Sequence, residues 1–164
     1  SSFPEGVPVS RRAQIRMTDD EVRQFLDQTR TIILCSIGKD GSPHPMPMWF
    51  GLEEDGAVIM TTFAKSQKIL NLRRDPRVTL LAEAGDTYSD LRGVMIEGKA
   101  EIDTEVESVF ATLRKVSVRM GTVPEEDSEA IREGLLASAR KRCRIRVAPD
   151  KVISWDHRKL GGVY

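Results

Sequence analysis

The sequence predicts an α+β fold in which helices flank an antiparallel β-barrel. Residues 93–103 alternate apolar and charged side chains over the length of a strand. Glycine-containing turns at 38–41 and 55–56 separate neighbouring apolar runs, which is typical of hairpins. Helical patterns precede, interrupt and follow the strands instead of alternating with each of them. This order favours an antiparallel barrel over a parallel sheet.

The helices are predicted from their start and stop signals. Thr18 and Glu21 form the pattern of a capping box, and an apolar stripe follows them. A short helix is expected over 66–74, because a proline follows it closely. A long helix is expected over 104–121, opened by a Thr-x-x-Glu pattern and ended by glycine, and a weaker one over 128–141.

The other strands are predicted from apolar runs between turns. Pro45 and Pro47 cannot donate to a ladder, so their nitrogens must face away from any partner strand. Gly98 interrupts the inward row of its strand, which indicates a bulge or a tight bend. Pro149 and Asp150 predict a turn between the last two strands. Besides 93–103, the predicted strands are 31–37, 44–50, 57–62, 78–83, 143–147 and 152–155.

Length and composition favour one globular domain, with residues 1–17 as an arm and 18–164 as the domain. Lys and Arg number 25, as do Asp and Glu, so a protein held on nucleic acid by bulk charge is not expected. No apolar run approaches the roughly 20 residues of a membrane span, and the first residues do not resemble a signal peptide. With only two cysteines, a disulfide framework is not expected and a cytoplasmic location is.

One segment carries a candidate ligand site. Residues 61–68 combine hydroxyls and lysines just before the short helix: Thr61, Thr62, Lys65, Ser66 and Lys68. A helix N-terminus offers free N–H groups and partial positive charge, so hydroxyls and a lysine there suit a phosphate. The alternative is an ordinary capped surface helix. No nucleophile, acid–base pair or metal-ligand spacing is present, so no metal site is predicted and catalytic residues stay unassigned.

Four segments in order resemble the pyridoxamine 5'-phosphate oxidase-like flavin and deazaflavin oxidoreductases. The opening hairpin is TIILCSIGKDGSPHPMPMWF, and the phosphate-binding turn and helix are KSQKILNLRRDPRV. The third and fourth segments are LRGVMIEGKAEI and the C-terminal SWDHRKLGGVY, which is similar to the deazaflavin-using branch. The resemblance implies a six-stranded split barrel that binds coenzyme F420 or FMN. It also implies a homodimer, with two cofactor sites at the interface and residues from both chains in each.

The resemblance also assigns the candidate cofactor residues. Lys68 matches the phosphate lysine, Thr62 the hydroxyl at the strand end, and Lys65 and Ser66 the turn. The ring would lie along Met46, Pro47, Met48 and Trp49, closed over by Trp155 and the tail from Lys159 of the other chain. The function implied is transfer of a hydride to a small conjugated substrate, with the chemistry carried by the cofactor.

Several alternatives stay open at this stage. Trp49 suits the barrel core equally well, and Trp155 suits a dimer contact. Arg73, Arg74 and Arg77 are either solvated charges or contacts for the anionic tail of F420. A non-catalytic flavin or haem carrier is the second function, and haem would need His44 or His157 as its axial ligand. Residues 155–159 lack the Arg-x-His segment of true pyridoxamine-phosphate oxidases, so vitamin B6 oxidation is not expected.

Overall fold

A computed structural model describes residues 10–162, and residues 1–9 and 163–164 of the predicted arm and tail lie outside it. Two single-turn 3-10 helices, Tyr88–Asp90 and His157–Leu160, complete the secondary structure of this part. The helices are α1 Arg11–Ile15, α2 Asp19–Gln28, α3 Gln67–Arg74, α4 Val106–Met120 and α5 Glu129–Ala139. The strands are β1 Thr31–Ile37, β2 Pro43–Trp49, β3 Gly51–Leu52, β4 Val58–Phe63, β5 Arg77–Ala84, β6 Arg92–Asp103 and β7 Arg142–Asp156.

All described strands belong to one curled antiparallel sheet with the order β2-β1-β5-β6-β7-β4-β3. Six strands are long and β3 has two residues, which agrees with the predicted α+β split barrel. Strand β7 joins two parts of the barrel, because residues 142–147 pair with β4 and residues 144–156 pair with β6. The two longest strands, β6 and β7, are thus neighbours in the middle of the sheet.

The predicted turn at Pro149 and Asp150 is wrong. The chain continues through both residues as part of β7. Gly98 pairs with Pro149 and Glu97 pairs with Lys151, so Asp150 is the extra residue of a β-bulge. The bulge expected at Gly98 is therefore confirmed. A proline is tolerated there because the ladder is already interrupted.

Two helix predictions also need correction. The N-cap of α4 is Glu105, whose side chain makes no capping hydrogen bond, so the expected start at Thr104 is one residue early. The arm contains a helix that was not predicted, the five-residue α1. The capping box at Thr18 is confirmed, with the hydroxyl accepting from the Glu21 N–H and the carboxylate accepting from the Thr18 N–H. Within residues 10–162, no helix is long and apolar enough to cross a membrane.

The two ends of the sheet meet at only one point. Strand β2 is one end and β3 the other, yet only the fully buried Phe50 separates them along the chain. The sheet must therefore curl until its ends lie side by side at Phe50. Since β3 pairs with only Ile59 and Val58 of β4, the rest of β4 faces β2 across a gap. We call this gap, between residues 43–49 and 60–63, the seam.

Two apolar clusters hold the helices against the barrel. Side chains of α2 and α3, including Leu26 and Leu72, enter the barrel core beside Leu34 and Ile96. A second cluster lies between α4 and α5 and is built around Val109. Helix α4 also contacts β3, β4 and β7, so it lies along one side of the seam.

Replacing Gly98 by alanine is expected to destabilise the fold by about 1–3 kcal/mol. A Cβ on Gly98 would lie 2.6 Å from the backbone oxygen of Ala148, so the bulge would have to move. Gly134→Ala in α5 is the matched control, because a Cβ there meets nothing within 4 Å. That change should stabilise the protein by about 0.5–1 kcal/mol. Urea denaturation of both variants makes the comparison, and equal stabilities would contradict the close packing at the bulge.

Candidate functional site

The seam contains a cavity of about 430 Å³. Pro47, Met48 and Trp49 of β2 lie on one side of it and Thr61 of β4 on the other. Helix α4 contributes Leu113, Val116 and Ser117, and Arg142 comes from the start of β7. Three of the residues predicted to bind the cofactor ring therefore meet Thr61, another candidate cofactor residue, around one cavity.

Prolines explain why the seam stays open. A proline cannot donate to β1, so the β1–β2 ladder forms only if the nitrogens of Pro45 and Pro47 face outward into the seam. Extending the register of Gly51 with Ile59 would place Pro47 opposite Phe63. That pair lacks an N–H, which removes a hydrogen bond and disfavours continuation of the β3–β4 ladder into β2. The expectation that these prolines face away from a partner strand is confirmed.

The N-terminus of α3 lies beside the seam. Ser66 is its N-cap residue, but the Ser66 side chain does not cap the helix and accepts instead from the Thr62 hydroxyl, 3.4 Å away. Thr62 is buried, whereas Lys65 is exposed. No side chain caps the helix, and the N–H groups of Gln67 and Lys68 are thus available to an anion.

Lys68 is the charged group of this helix start. It is half-buried in the first turn and has no hydrogen bond or ion pair within residues 10–162. Burial lowers the pKa of its ammonium below the ordinary value. A cation at this end of a helix also opposes the helix dipole. Both effects would be relieved by a bound anion.

A buried polar network fixes α3 against the barrel. Asn71 is fully buried and donates to the Ser36 hydroxyl of β1 at 3.1 Å. Its side-chain oxygen accepts from Gln67 and from Arg74. Because every member of this network is on α3 or β1, the helix start is held in a fixed position relative to the sheet.

The arginines after α3 are mostly engaged within the chain. Arg74 donates to the backbone oxygen of Ile37 at 2.8 Å, and Arg77 makes a bidentate pair with Asp75. The Arg77 guanidinium lowers the pKa of Asp75 to about 2. Of the three arginines considered for a cofactor tail, Arg73 alone has no polar partner in the described part of the chain.

Several apolar side chains at the seam are exposed to solvent. Trp49 is 49% exposed and Phe63 is 55% exposed, while Met46 at the inner face of β2 is 38% exposed. The core interpretation of Trp49 is therefore wrong. These side chains form an apolar rim on both sides of the seam.

Trp155 and Lys159 do not join the seam of their own chain. Trp155 lies roughly 40 Å along β7 from Arg142, packed so closely over Gly93 that a Cβ there would be 2.4 Å from its ring. Lys159 donates to Glu21 at 2.7 Å and to the backbone oxygen of Arg16 at 2.9 Å. Their predicted contact with a cofactor held mainly by a second chain stays a prediction.

The histidines and the acidic residues offer no metal centre. Within residues 10–162, no group of three or more His, Cys, Asp or Glu could hold a metal ion. The Nδ1 atoms of His44 and His157 are buried without a hydrogen-bond partner in the same part of the chain. The ring of His157 packs edge-on against Tyr88, with centroids 4.7 Å apart.

Sequence reasoning missed Arg142. Arg142, Arg144 and Arg146 alternate along the outer face of β7 and look alike in sequence. Arg144 and Arg146 both pair with Glu53, whereas Arg142 lines the cavity and pairs with no carboxylate of the described residues. No local sequence signal separates them, because the acidic partner comes from a distant turn.

A family model decides the relationship. The model described as pyridoxamine 5'-phosphate oxidase matches residues 18–156, which include the whole sheet, the seam and α3. The chain belongs to the pyridoxamine 5'-phosphate oxidase family. Membership fixes the split-barrel fold.

Solved structures share this fold, and their descriptions differ in what those proteins bind. A conserved hypothetical protein, Rv2991, from Mycobacterium tuberculosis is 40% identical, with 95% of each chain covered and a TM-score of 0.84. A protein described as an F420 reductase is 21% identical over 82% of this chain and 98% of its own, with a TM-score of 0.61. HutZ, the heme storage protein from Vibrio cholerae, is 15% identical over 85% of this chain and 97% of its own, with a TM-score of 0.63.

The site of this family member fits a phosphate-bearing flavin in its donor chemistry. An unpartnered ammonium, free N–H groups and the Ser66 hydroxyl lie at the start of α3, and these are donors that a phosphate requires. Apolar and aromatic groups line the seam cavity, as a planar ring system requires. A polar site at the start of α3 together with an apolar seam suits a ligand that has an anionic end and a flat ring system.

Proposed function

We propose that this protein is an oxidoreductase that binds coenzyme F420, or FMN in its place, and reduces a small conjugated substrate. The cofactor phosphate binds at the start of α3, and the ring lies along the seam. When bound, such a cofactor supplies the hydride. The residues of this chain bind it, orient it and keep water from the seam.

The observation that carries the proposal is the environment of Lys68. A half-buried lysine without a partner is unfavourable, and in the first turn of a helix it is doubly so. A phosphate group removes both penalties by accepting from the ammonium and from the free N–H groups of α3. Ser66 adds a hydroxyl donor at the same point, and the Thr62 hydroxyl donates to its oxygen.

The seam residues are proposed to hold the ring. Trp49 and Met48 offer apolar surface on the β2 side, and Thr61 offers a hydroxyl on the β4 side. The outward-facing backbone of β2 adds carbonyl acceptors. Its proline nitrogens carry no hydrogen, so they add no donors. No acid–base residue is needed here, since the transferred group comes from the cofactor.

The test is a titration followed by an assay. Purified protein is titrated with F420 and, separately, with FMN while the cofactor fluorescence is followed. The complex that forms is then reduced and mixed anaerobically with a panel of quinones, nitroaromatic compounds and enones. Binding followed by reoxidation that depends on an acceptor supports the proposal. Binding without turnover on any acceptor would favour a carrier.

The haem alternative is tested by the same material. His44 and His157 are the only histidines in the sequence, and both carry a buried Nδ1 atom without a partner in the described region. Absorbance after haem addition distinguishes a ligated haem from a flavin or deazaflavin complex. A Soret band that is lost in His44→Ala or His157→Ala protein would support storage in place of catalysis.

We also propose that the protein is a homodimer, which the mass measured in solution should show. Trp49, Phe63 and Met46 expose apolar surface on both sides of the seam, which a second copy would cover. Light scattering at micromolar concentration should give twice the chain mass of 18.4 kDa. A mass of one chain would contradict the dimer and the predicted contribution of Trp155 and Lys159 from a partner.

A further inference from the structure

Arg142 stands apart from the two arginines that follow it on the same face of β7. Arg144 donates to Glu53 and to the Thr112 hydroxyl, and Arg146 donates to Asp55 at 2.5 Å. Arg142 forms no ion pair with any residue of 10–162, although it is half-buried. Burial lowers the pKa of its guanidinium, with no neighbouring charge to offset the cost.

The guanidinium of Arg142 is nevertheless held in place. Its Nε donates to the Ser138 hydroxyl at 3.0 Å, and its carbon lies 4.3 Å from the centre of the Phe63 ring. The terminal nitrogens have no partner within the described residues, and the side chain lines the seam cavity beside Thr61 and Trp49. A fixed, unpaired guanidinium at a cavity wall is preorganised for a planar anion.

The strand geometry separates Arg142 from the phosphate site. Arg142 is paired with Phe63, so both lie on the outer face of the sheet together with Thr61. Thr62 points to the opposite face, where it contacts Ser66 at the start of α3. Arg142 thus lies on the face of β4 opposite the Thr62–Ser66 contact at the start of α3.

We propose that Arg142 selects substrates that carry a carboxylate and binds that carboxylate at the outer side of the seam. The inference rests on the proposed function, because it names the class of acceptor that the cofactor site serves. A carboxylate fits because it accepts two parallel N–H bonds from a guanidinium. It also carries a single negative charge, and Arg142 has no negatively charged partner among the described residues. The Thr61 hydroxyl lines the same cavity and is available as a further donor.

The experiment uses 4-nitrobenzoate and 4-nitrobenzamide, which have nearly the same shape and differ in charge. Each is titrated into protein loaded with oxidised cofactor and, by calorimetry, into cofactor-free protein. Wild-type protein should bind the carboxylate about tenfold or more tightly than the amide, as expected for one charge-assisted contact. Arg142→Gln should bring the two affinities together by weakening the carboxylate alone, and Arg142→Lys should restore part of the preference.

Lys141→Gln is the matched control. Lys141 is exposed and adjacent, and its replacement changes the net charge by the same amount without touching the cavity. It should leave the probe preference unchanged. Thermal melts show whether each Arg142 variant is folded, and Arg142→Lys keeps the charge should Arg142→Gln fail to fold.

The possible results separate this inference from the proposed function. Equal affinities of the two probes for wild-type protein would overturn the role of Arg142, even where F420 or FMN binds well. The same holds if Arg142→Gln weakens cofactor binding as strongly as Lys68→Ala, since Arg142 would then serve the cofactor. Failure of both cofactors to bind would overturn the proposed function, while the probe preference of cofactor-free protein would still decide the role of Arg142.

Discussion

Replacement of Lys68 by alanine is expected to weaken cofactor binding by about 10- to 100-fold. A charge-assisted hydrogen bond contributes roughly 1.5–3 kcal/mol, and about 1.4 kcal/mol corresponds to a tenfold change in affinity. Lys68 is half-buried and has no competing partner in the described region, so its ammonium is fully available to a phosphate. Fluorescence titration with F420 and with FMN measures the loss.

The stability of the cofactor-free variant gives the second half of this prediction. Lys68→Ala removes a desolvated cation from the positive end of a helix, so the empty protein should be as stable as wild type or slightly more stable. Lys65→Ala is the matched control, because Lys65 belongs to the same turn but is exposed. Its effect on affinity should stay below about fivefold, as is usual for exposed charge pairs.

Two results would count against the anion site. Unchanged affinity in Lys68→Ala protein would mean that Lys68 is an ordinary surface charge and that any phosphate binds elsewhere. A large drop in the melting temperature of the empty variant would mean that the lysine supports the fold itself. The titration and the melt therefore have to be made on the same preparation.

Replacement of Arg119 by methionine is expected to destabilise the protein by about 3 kcal/mol. Arg119 projects from α4 and donates to the backbone oxygens of Leu26 and Thr29 at 2.7 and 2.8 Å, where α2 ends. It also donates to the oxygen of Phe50, and its guanidinium carbon lies 4.4 Å from the centre of the Phe50 ring. Methionine preserves most of the apolar stem but leaves these carbonyl groups without their donor.

Arg132→Met separates the hydrogen bonds of Arg119 from its ring contact. Arg132 lies 4.8 Å from the centre of the Phe110 ring and is exposed, and no carbonyl bond accompanies that contact. Its replacement should cost less than about 1 kcal/mol. Urea denaturation gives both values. Equal losses for the two variants would show that the bonds from Arg119 contribute little.

Arg119 also matters for the site, because it joins α4 to the one point where the ends of the sheet meet. Phe50 links β2 to β3, and the seam begins beside it. Loss of Arg119 should therefore loosen the α4 side of the cavity. The folded fraction of the Arg119→Met protein is therefore expected to bind cofactor more weakly than wild-type protein does.

The fold could be predicted from sequence wherever local signals agreed. Three local signals each had one structural interpretation, which the structure confirms: the alternation in β6, the capping box at Thr18 and the prolines of β2. Pro149 and Asp150 form a normal turn signal, and that prediction failed. The twelve-residue strand β6 pairs with the residues of β7 before and after Pro149 and Asp150, and Gly98 leaves room for the bulge. A long-range partner had overridden a local preference.

The candidate site divides in the same way. Lys68 conflicts with its own helix, so its importance can be inferred from neighbouring residues alone. Arg142 conflicts with nothing nearby in sequence, and only the distant Glu53 shows by its position that Arg142 is left unpaired. Trp155 and Lys159 depend on a second chain, so neither their sequence nor one folded copy decides their role.

The central claim is that the start of α3 binds the phosphate of a flavin-type cofactor whose ring lies in the seam. The most direct measurement compares FMN with riboflavin, and F420 with its dephosphorylated chromophore, by fluorescence titration of wild-type protein. The phosphate-bearing member of the preferred pair should bind at least about tenfold more tightly, and Lys68→Ala should remove most of that difference. Equal affinity with and without the phosphate, or no binding of either pair, would contradict the claim.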